Sequence, residues 1–404
     1  MSLIPVEEAL ARIVEGAGPL GTEWVKLPAS LKRVLAEDLA SKRTQPPFAA
    51  SAMDGYAVRG DDVAQVPATL KIVGEAPAGK PFAGTIGRGE AVRIFTGAPV
   101  PDGADSIVIQ EDTKRDGDQV TVLEPASPGA YVRPAGLDFN EGDVLLKAGR
   151  RLLPRHLALA AAMNHATIPV RRRPRVGVLA TGDELVEPGA EPGPGQIVSS
   201  NSAGISALVS RAGGEAVDLG IARDEAEALA IGIRAARDQD ADILVTLGGA
   251  SVGDHDLVMQ ALQAEGLTLG FWRIAMRPGK PLMFGRLGRM RVLGLPGNPV
   301  SAMVCGLIFL KPLIGALLGL DASENAPATA LLGSPVPEND RRQDYLRASL
   351  ARNEQGRWVA NPFGAQDSSM LALLAKADCL IVRPPHAPAL DAGVPVDILP
   401  LDEV

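Results

Sequence analysis

The chain has 404 residues, with 48 acidic and 40 basic side chains and a net charge of −8, which argues against a nucleic acid or an anionic membrane as its main partner. The length predicts two to four domains with ample core. The two cysteines, Cys305 and Cys379, stand alone in their segments, which excludes a cysteine-based zinc site and argues against a disulfide framework.

No apolar run matches the roughly 20 residues of a membrane span; the longest, residues 300–320, is interrupted by Lys311-Pro312 and by glycines. The start, Met1-Ser2-Leu3-Ile4-Pro5, lacks a basic region followed by an apolar one, so no signal peptide is expected. A cytoplasmic enzyme fits these features.

Residues 5–16 predict a helix with Pro5 at its first position and Val6, Leu10, Ile13 and Val14 on one face. A second helix is expected from Pro28, carrying Leu31, Val34, Leu35 and Leu39, until Gln45-Pro46-Pro47-Phe48 breaks it. Short β-rich runs follow to about residue 145, including 70–73, 91–95, 106–109 and 120–123, which predicts a small β domain. A helical piece at 154–164 precedes Arg171-Arg172-Arg173-Pro174, which reads by default as a solvated linker. The expected division is a discontinuous helical or mixed domain of residues 1–46 and 146–174, a β domain inserted at 47–145, an α/β domain at 175–326 and a C-terminal β domain at 327–404.

From Arg175 the pattern turns to βαβ. Buried strands are expected at 175–180 and 243–247, a helix capped by Asn201 or Ser202 and ended by Gly213-Gly214, and a helix opened by the capping box Asp224-x-x-Glu227. Such alternation implies a doubly wound parallel sheet with helices on both faces, the fold class being α/β plus β. Short strands return at 345–350, 358–359 and 379–382.

Ligands of open α/β sheets bind beyond the carboxyl ends of the strands. The loops expected there are Thr181-Gly182-Asp183-Glu184, Ser199-Ser200-Asn201, Gly248 to Asp256 with Ser251 inside it, Arg277-Pro278-Gly279-Lys280-Pro281, and Leu295-Pro296-Gly297-Asn298-Pro299 leading into Ser301. Neither nucleotide phosphate-loop pattern is present, since Gly279-Lys280 is followed by Pro281 and no G-x-G-x-x-G follows the first strand. The charges are mixed. Carboxylates Asp183, Glu184, Asp224, Asp254 and Asp256 accompany the cations Arg273, Arg277 and Lys280, so a Mg²⁺ between carboxylates and a substrate phosphate would reconcile them. For Asp224, helix capping and ligand contact are equally good readings. The inserted domain adds two dense loops, 51–58 and 94–101, with Arg133, Asp138 and Asp143. The four histidines lack metal-ligand spacing.

SAMDGYAV, IFTGAPVP-x-GAD, TGDEL, GG-x-SVG-x-x-D, PGKP and GLPGNPVSA occur in this order, and with them the chain resembles the MoeA family of molybdopterin molybdenumtransferases, to which the E domain of gephyrin also belongs. The resemblance spans essentially the whole chain. It implies Mg²⁺-dependent insertion of molybdate into adenylylated molybdopterin with release of AMP, in a homodimer whose cleft joins the α/β domain of one subunit to the β domain of the other. By motif match, Asp54, Thr96, Asp138, Glu184, Asp224, Asp256, Pro296 and Pro299 take family functional positions, and Arg347 and Ser368 match cleft residues. Glu184 and Asp256 are expected to place the metal or the pterin phosphate, and Asp54 to reach in from the facing subunit. The Arg273/Arg277 region, Lys280, Ser251, Asn298 and Ser301 are expected on the substrate. A molybdopterin adenylyltransferase and molybdoenzyme apoproteins are the implied partners.

Several positions depart from the family pattern. Arg273 and Arg277 stand where lysines are frequent, Leu137 and Ser199 where acidic residues are, and Ala250 where valine is. A planar guanidinium in place of an ammonium changes oxyanion geometry. The alternatives are a tungstate-preferring paralogue and a non-catalytic molybdopterin-binding scaffold; a nucleotide-dependent kinase or dehydrogenase lacks its phosphate loop.

Overall fold

The computed structural model describes residues 3–248, 257–320 and 328–401. Its organising element is a six-stranded sheet in the order Glu215–Ala222, Arg175–Thr181, Ile243–Leu247, Met290–Leu295, Met283–Leu287, Thr268–Trp272. The first four strands are parallel and Met283–Leu287 runs antiparallel to both of its neighbours, so the sheet is mixed rather than parallel throughout. The reason is local: residues 288–289 close a tight hairpin between 283–287 and 290–295, leaving no room for a crossover helix. The chain starts at Arg175–Thr181, adds Glu215–Ala222 on one side and Ile243–Leu247 on the other. That reversal opens a crevice at the carboxyl ends of the two central strands.

Helices Asn201–Ala212, Ala226–Asp238 and Leu257–Ala264 pack on this sheet. Gly213, at φ 101°, ends the first of them in the left-handed conformation expected of a glycine C-cap. The helix starts differ from expectation. Ser200 is the cap residue of the first and Glu225 that of the second, and neither makes a side-chain capping bond, so the Asp224–Glu227 capping box does not form. Glu227 instead bonds Arg234 at 2.7 Å.

The stretch Pro299–Leu318 is one continuous helix, long and apolar enough by length and composition to cross a membrane, against the expectation that Lys311-Pro312 would interrupt it. Most of it is buried: Val300, Val304, Phe309, Leu313 and Ile314 belong to the largest core cluster. It absorbs Pro312 through a π-helical turn at Gly306–Leu310, where the Lys311 amide reaches back to the Gly306 carbonyl.

The N-terminal helix Val6–Val14 buries Val6, Ala9 and Ile13 in this same α/β core, although the sequence reading groups it with the discontinuous domain. Arg286 and Arg291 both donate to the Glu15 carbonyl, closing its C-terminus with cations, which the helix dipole favours. The second expected helix is absent. A short 3-10 turn at Leu27–Ser30 gives way to Lys32 at φ 62°, and Val34 and Leu35 then bridge Arg151 and Val170 in β fashion. The apolar spacing there serves a β core shared by Leu35, Leu39, Phe139, Leu146, Leu152 and Ile168.

A six-stranded sheet between Gly55 and Val122 forms the inserted β unit, with small cores on its two faces. The triple arginine is no solvated linker. Arg171 donates to the Leu20 and Ala36 carbonyls, and Arg172 grips Asp242 with two bonds of 3.0 and 2.8 Å. At the C-terminal end, Ala328–Leu332, Gln343–Arg352, Trp358–Pro362, Cys379–Arg383 and Pro395–Pro400 close into a five-stranded barrel, because Gln343–Arg352 pairs with both 358–362 and 379–383. Met276–Arg277 leaves the α/β sheet and joins this barrel, parallel to Gln343 and Asp344.

Candidate active site

The carboxyl ends of the parallel strands gather the 181–184, 199–201 and 295–301 loops together with Gly248; the rest of the 248–256 loop lies outside the described residues. Gly182, at φ 147°, follows the strand Arg175–Thr181, and Glu184 folds back over it so closely that a Cβ on Gly182 would overlap the carboxylate. Beside it, Asp183 Oδ1 accepts from the Asp224 amide at 3.2 Å, and the Asp183 carbonyl accepts from Arg223 at 2.6 Å. Asp224 therefore does not cap its helix; it lies among carboxylates. Partial burial, then the nearby Asp183, raise its pKa above the ordinary value, with Glu184 adding to the effect.

Across the crevice, Gly248, at φ 106°, lies against Thr181, and its amide donates to Leu295 at 3.2 Å. Asn201, expected as a cap, instead donates from Nδ2 to the Gly297 carbonyl at 2.7 Å, tying the start of its helix to the Pro296–Pro299 turn. Asn298 Nδ2 donates to Ser368 Oγ at 2.9 Å, and the Val300 amide donates to the Ser368 carbonyl at 3.1 Å. A barrel loop thus occupies one amide of the helix start that the sequence offers to an anion. Pro296 and Ser301 are buried behind this contact, and Pro299 is the first helical residue.

Arg347 lies in the barrel at 1% exposure. Its Nε and its amide share Gln366 Oε1, its Nη1 donates to the Met370 carbonyl, and its Nη2 is buried without a partner. Desolvation pushes its pKa down, against the pull of Asp367. Arg273 has φ 79° and stacks its guanidinium 5.4 Å from the Trp272 ring centre. Among the described residues, neither Arg273 nor the exposed Lys280 has a carboxylate partner. Arg277 does: it pairs with Asp344 and lies 3.8 Å from Asp340, so the structure directs this expected anion ligand towards the barrel instead.

A second constellation lies in the inserted β unit. Asp54 Oδ1 accepts from both the amide and the hydroxyl of Thr96, each at 2.7 Å. Those bonds, with a smaller contribution from Arg93, hold the Asp54 carboxyl below its ordinary pKa. Arg93 is itself set by the Gly55 carbonyl, Gln110 and the rings of Tyr56 and Phe95. Asp138 is exposed, with its amide on the Gln45 carbonyl, and Leu137 beside it is 59% exposed. Asp143 accepts from the Asn140 amide, a turn-forming role. Ser251 and Asp256 lie outside the described residues.

Sequence reasoning missed Arg223, Gln366 and Asp344. Gln366 had no motif to mark it, and Asp344 is remote in sequence from the arginine it serves.

The three parts of the chain match three family models in order. Residues 4–164 match the MoeA N-terminal region (domain I and II), 177–316 a probable molybdopterin binding domain, and 329–401 the MoeA C-terminal region (domain IV). The chain belongs to the MoeA family. A protein of Haemophilus influenzae named molybdopterin molybdenumtransferase is 36% identical over the full length of both chains. One of the same name from Bacillus subtilis is 34% identical over 99% of this chain and 94% of its own. Two solved structures of a molybdopterin biosynthesis MoeA protein from Pyrococcus horikoshii superpose with TM-scores of 0.85, at 32% and 28% identity, covering 100% and 99% of this chain and all of theirs. The MoeA relatives thus share the whole arrangement of sheet, inserted β unit and terminal barrel. The middle model falls on the residues whose strand ends form the crevice.

Proposed function

We propose that the crevice takes adenylylated molybdopterin and molybdate, transfers molybdenum to the pterin dithiolene and releases AMP, with Mg²⁺ required. The observation that carries this reading is the division of the rim by charge. Asp183, Glu184 and Asp224 crowd one strand end, while the unpartnered Nη2 of Arg347 lies behind the loop that meets the helix start at Asn298.

Such an acidic group suits a divalent cation, since partial burial and then the neighbouring Asp183 and Glu184 raise the pKa of Asp224, and a cation would relieve both. Among the described residues no three His, Cys, Asp or Glu side chains are set to hold a metal by themselves, so a Mg²⁺ here would need substrate phosphate beside one or two carboxylates. Glu184 is one such ligand, and Asp256, outside the described residues, is the other expected. When bound, Mg²⁺ neutralises charge that develops on phosphate oxygens as the anhydride to AMP breaks.

The protein's own groups position the reactants. Glu184 is held by its fold over Gly182. Ser301, Ser368, Arg273, Lys280 and Arg347 supply hydroxyls and positive charge for the oxyanion, a dianion that Coulomb attraction draws to cations, of which Arg347 is the desolvated one. Asp54, kept ionised by Thr96, and Asp138 act from the facing subunit of a homodimer. The exposed apolar side chains near them, Phe48, Met53, Tyr131 and Leu137, support a covered surface there. The substrate is supplied by a molybdopterin adenylyltransferase and the product taken by molybdoenzyme apoproteins, all in the cytoplasm.

The test is incubation with adenylylated molybdopterin, Mg²⁺ and molybdate, following AMP release and metal retained on the pterin, with tungstate in a parallel arm. AMP release dependent on oxyanion and Mg²⁺ is expected. Pterin binding without AMP release in either arm would overturn the enzymatic reading.

A further inference from the structure

The strand Gln343–Arg352 touches the α/β unit in two ways. At its start, Gln343 and Asp344 pair in parallel with Met276 and Arg277, just before the Pro278–Pro281 turn. Three residues after Asp344, Arg347 holds Gln366 and Met370, which bracket Ser368 on the helix start. One barrel strand therefore links the two Gly/Pro turns of the α/β unit.

The contact at the strand start is charged, with a buried carboxylate facing a half-exposed guanidinium. Asp344 is 3% exposed, its Oδ2 takes the Arg277 guanidinium, and its Oδ1 has no partner. Asp340 approaches Arg277 at 3.8 Å and is anchored by Arg342 at 2.7 Å. Arg383, on the neighbouring strand, is 3% exposed and spends its Nη2 on the Pro337, Ala387 and Pro388 carbonyls. Among the described residues Arg277 alone forms an ion pair with Asp344, while Arg383, its register partner across the barrel, adds a longer-range attraction.

We infer that Arg277 and Asp344 form a latch that fixes the barrel against the α/β unit and thereby sets Ser368 on the Asn298–Ser301 helix start. Arg277 is on this account a positioning residue that acts through Ser368, not a ligand of the oxyanion. Its guanidinium turns one terminal nitrogen to Asp344 and the other towards Asp340, two directions that a compact ammonium serves less well.

The proposal deepens the oxyanion reading above, but its first measurement is independent of activity. Amide hydrogen exchange of segment 364–374 and of Val300 is compared in the full-length protein, in Arg277→Gln, in Asp344→Asn and in the double variant. Each single variant is expected to speed exchange there by at least about tenfold, with the double variant no faster than the worse single, as for two halves of one interaction. If Asp344→Asn fails to fold, Asp340→Ala, at a half-exposed position, is expected to give a smaller increase in the same segment. Under the molybdate-dependent assay, Asp344→Asn and Arg277→Gln are both expected to raise KM for molybdate by a similar factor, with the smaller effect on kcat. Unchanged exchange at 364–374 in both single variants would overturn the latch. So would a KM effect confined to Arg277→Gln, which would make Arg277 a direct ligand. Loss of exchange protection in a protein that releases no AMP would uphold the latch and sink the functional reading alone.

Discussion

Asp54 is half-buried and Asp224 exposed, and their surroundings tune the two carboxylates in opposite directions. Two Thr96 bonds depress the pKa of Asp54, so the stability it adds is present above the ordinary carboxylate range and is lost as pH falls through its folded value. For Asp224 the sign reverses. Its raised pKa means a contribution present below the ordinary range and lost as pH rises through the folded value, which leaves charge tension at neutral pH. Thr96→Val is expected to move the Asp54 titration up towards the ordinary value, read by carboxyl NMR; an unmoved titration would show that Thr96 does not set it. Asp183→Asn is expected to lower the Asp224 pKa and to raise thermal stability at pH 7 more than at pH 3. Equal shifts at both pH values would rule out charge crowding. Asp54 and Thr96 were legible from their motifs, but their pairing was not, because 42 residues separate them and only the sheet brings them together.

Elements carry the site through glycine geometry at two turns. A Cβ on Gly182 would displace the Glu184 carboxylate, and its φ of 147° strains any other residue. Gly182→Ala is therefore expected to cost about 1–3 kcal/mol in stability and to reduce Mg²⁺-dependent AMP release further than that loss explains. Calorimetry beside the AMP assay separates the two effects, and full activity would show that the position of Glu184 is immaterial. Gly279, at φ 114°, would put a Cβ 2.5 Å from Cys305 Sγ on the helix that starts at Pro299. The Pro278–Pro281 turn is thus seated on the helix of the other turn. The local signals were strong for βαβ order, since buried strands at 175–181 and 243–247 are nearly continuous apolar runs. They failed for Leu31 to Leu39, where apolar spacing suits a helix and Lys32 at positive φ breaks it.

For the whole molecule, the N-terminal helix is a component of the α/β core and not of the unit next to it in sequence. Ile13→Ala removes a fully buried side chain beside that core and is expected to cost about 2–5 kcal/mol, appearing in the unfolding of the α/β unit. Hydrogen exchange resolved by segment checks this; protection lost only in residues 17–46 and 146–174 would contradict it. Arg172 and Asp242 make a second join between units.

The family and the βαβ order of the α/β unit were legible in the chain alone, as were the loops that follow its first strand and its last parallel strand. Those features reside in contiguous motifs: a turn needs its glycine and proline locally, and a buried strand needs its apolar run locally. Tertiary structure decided how charges are shared. Arg277 looks like an anion ligand beside Lys280, until a barrel strand some 67 residues away presents Asp344 to it. The helix start at Asn298 looks open to an anion until Ser368 takes the Val300 amide. Charge compensation and hydrogen-bond satisfaction depend on distance in space, and no local pattern in the chain records which groups the fold will bring within a few ångströms.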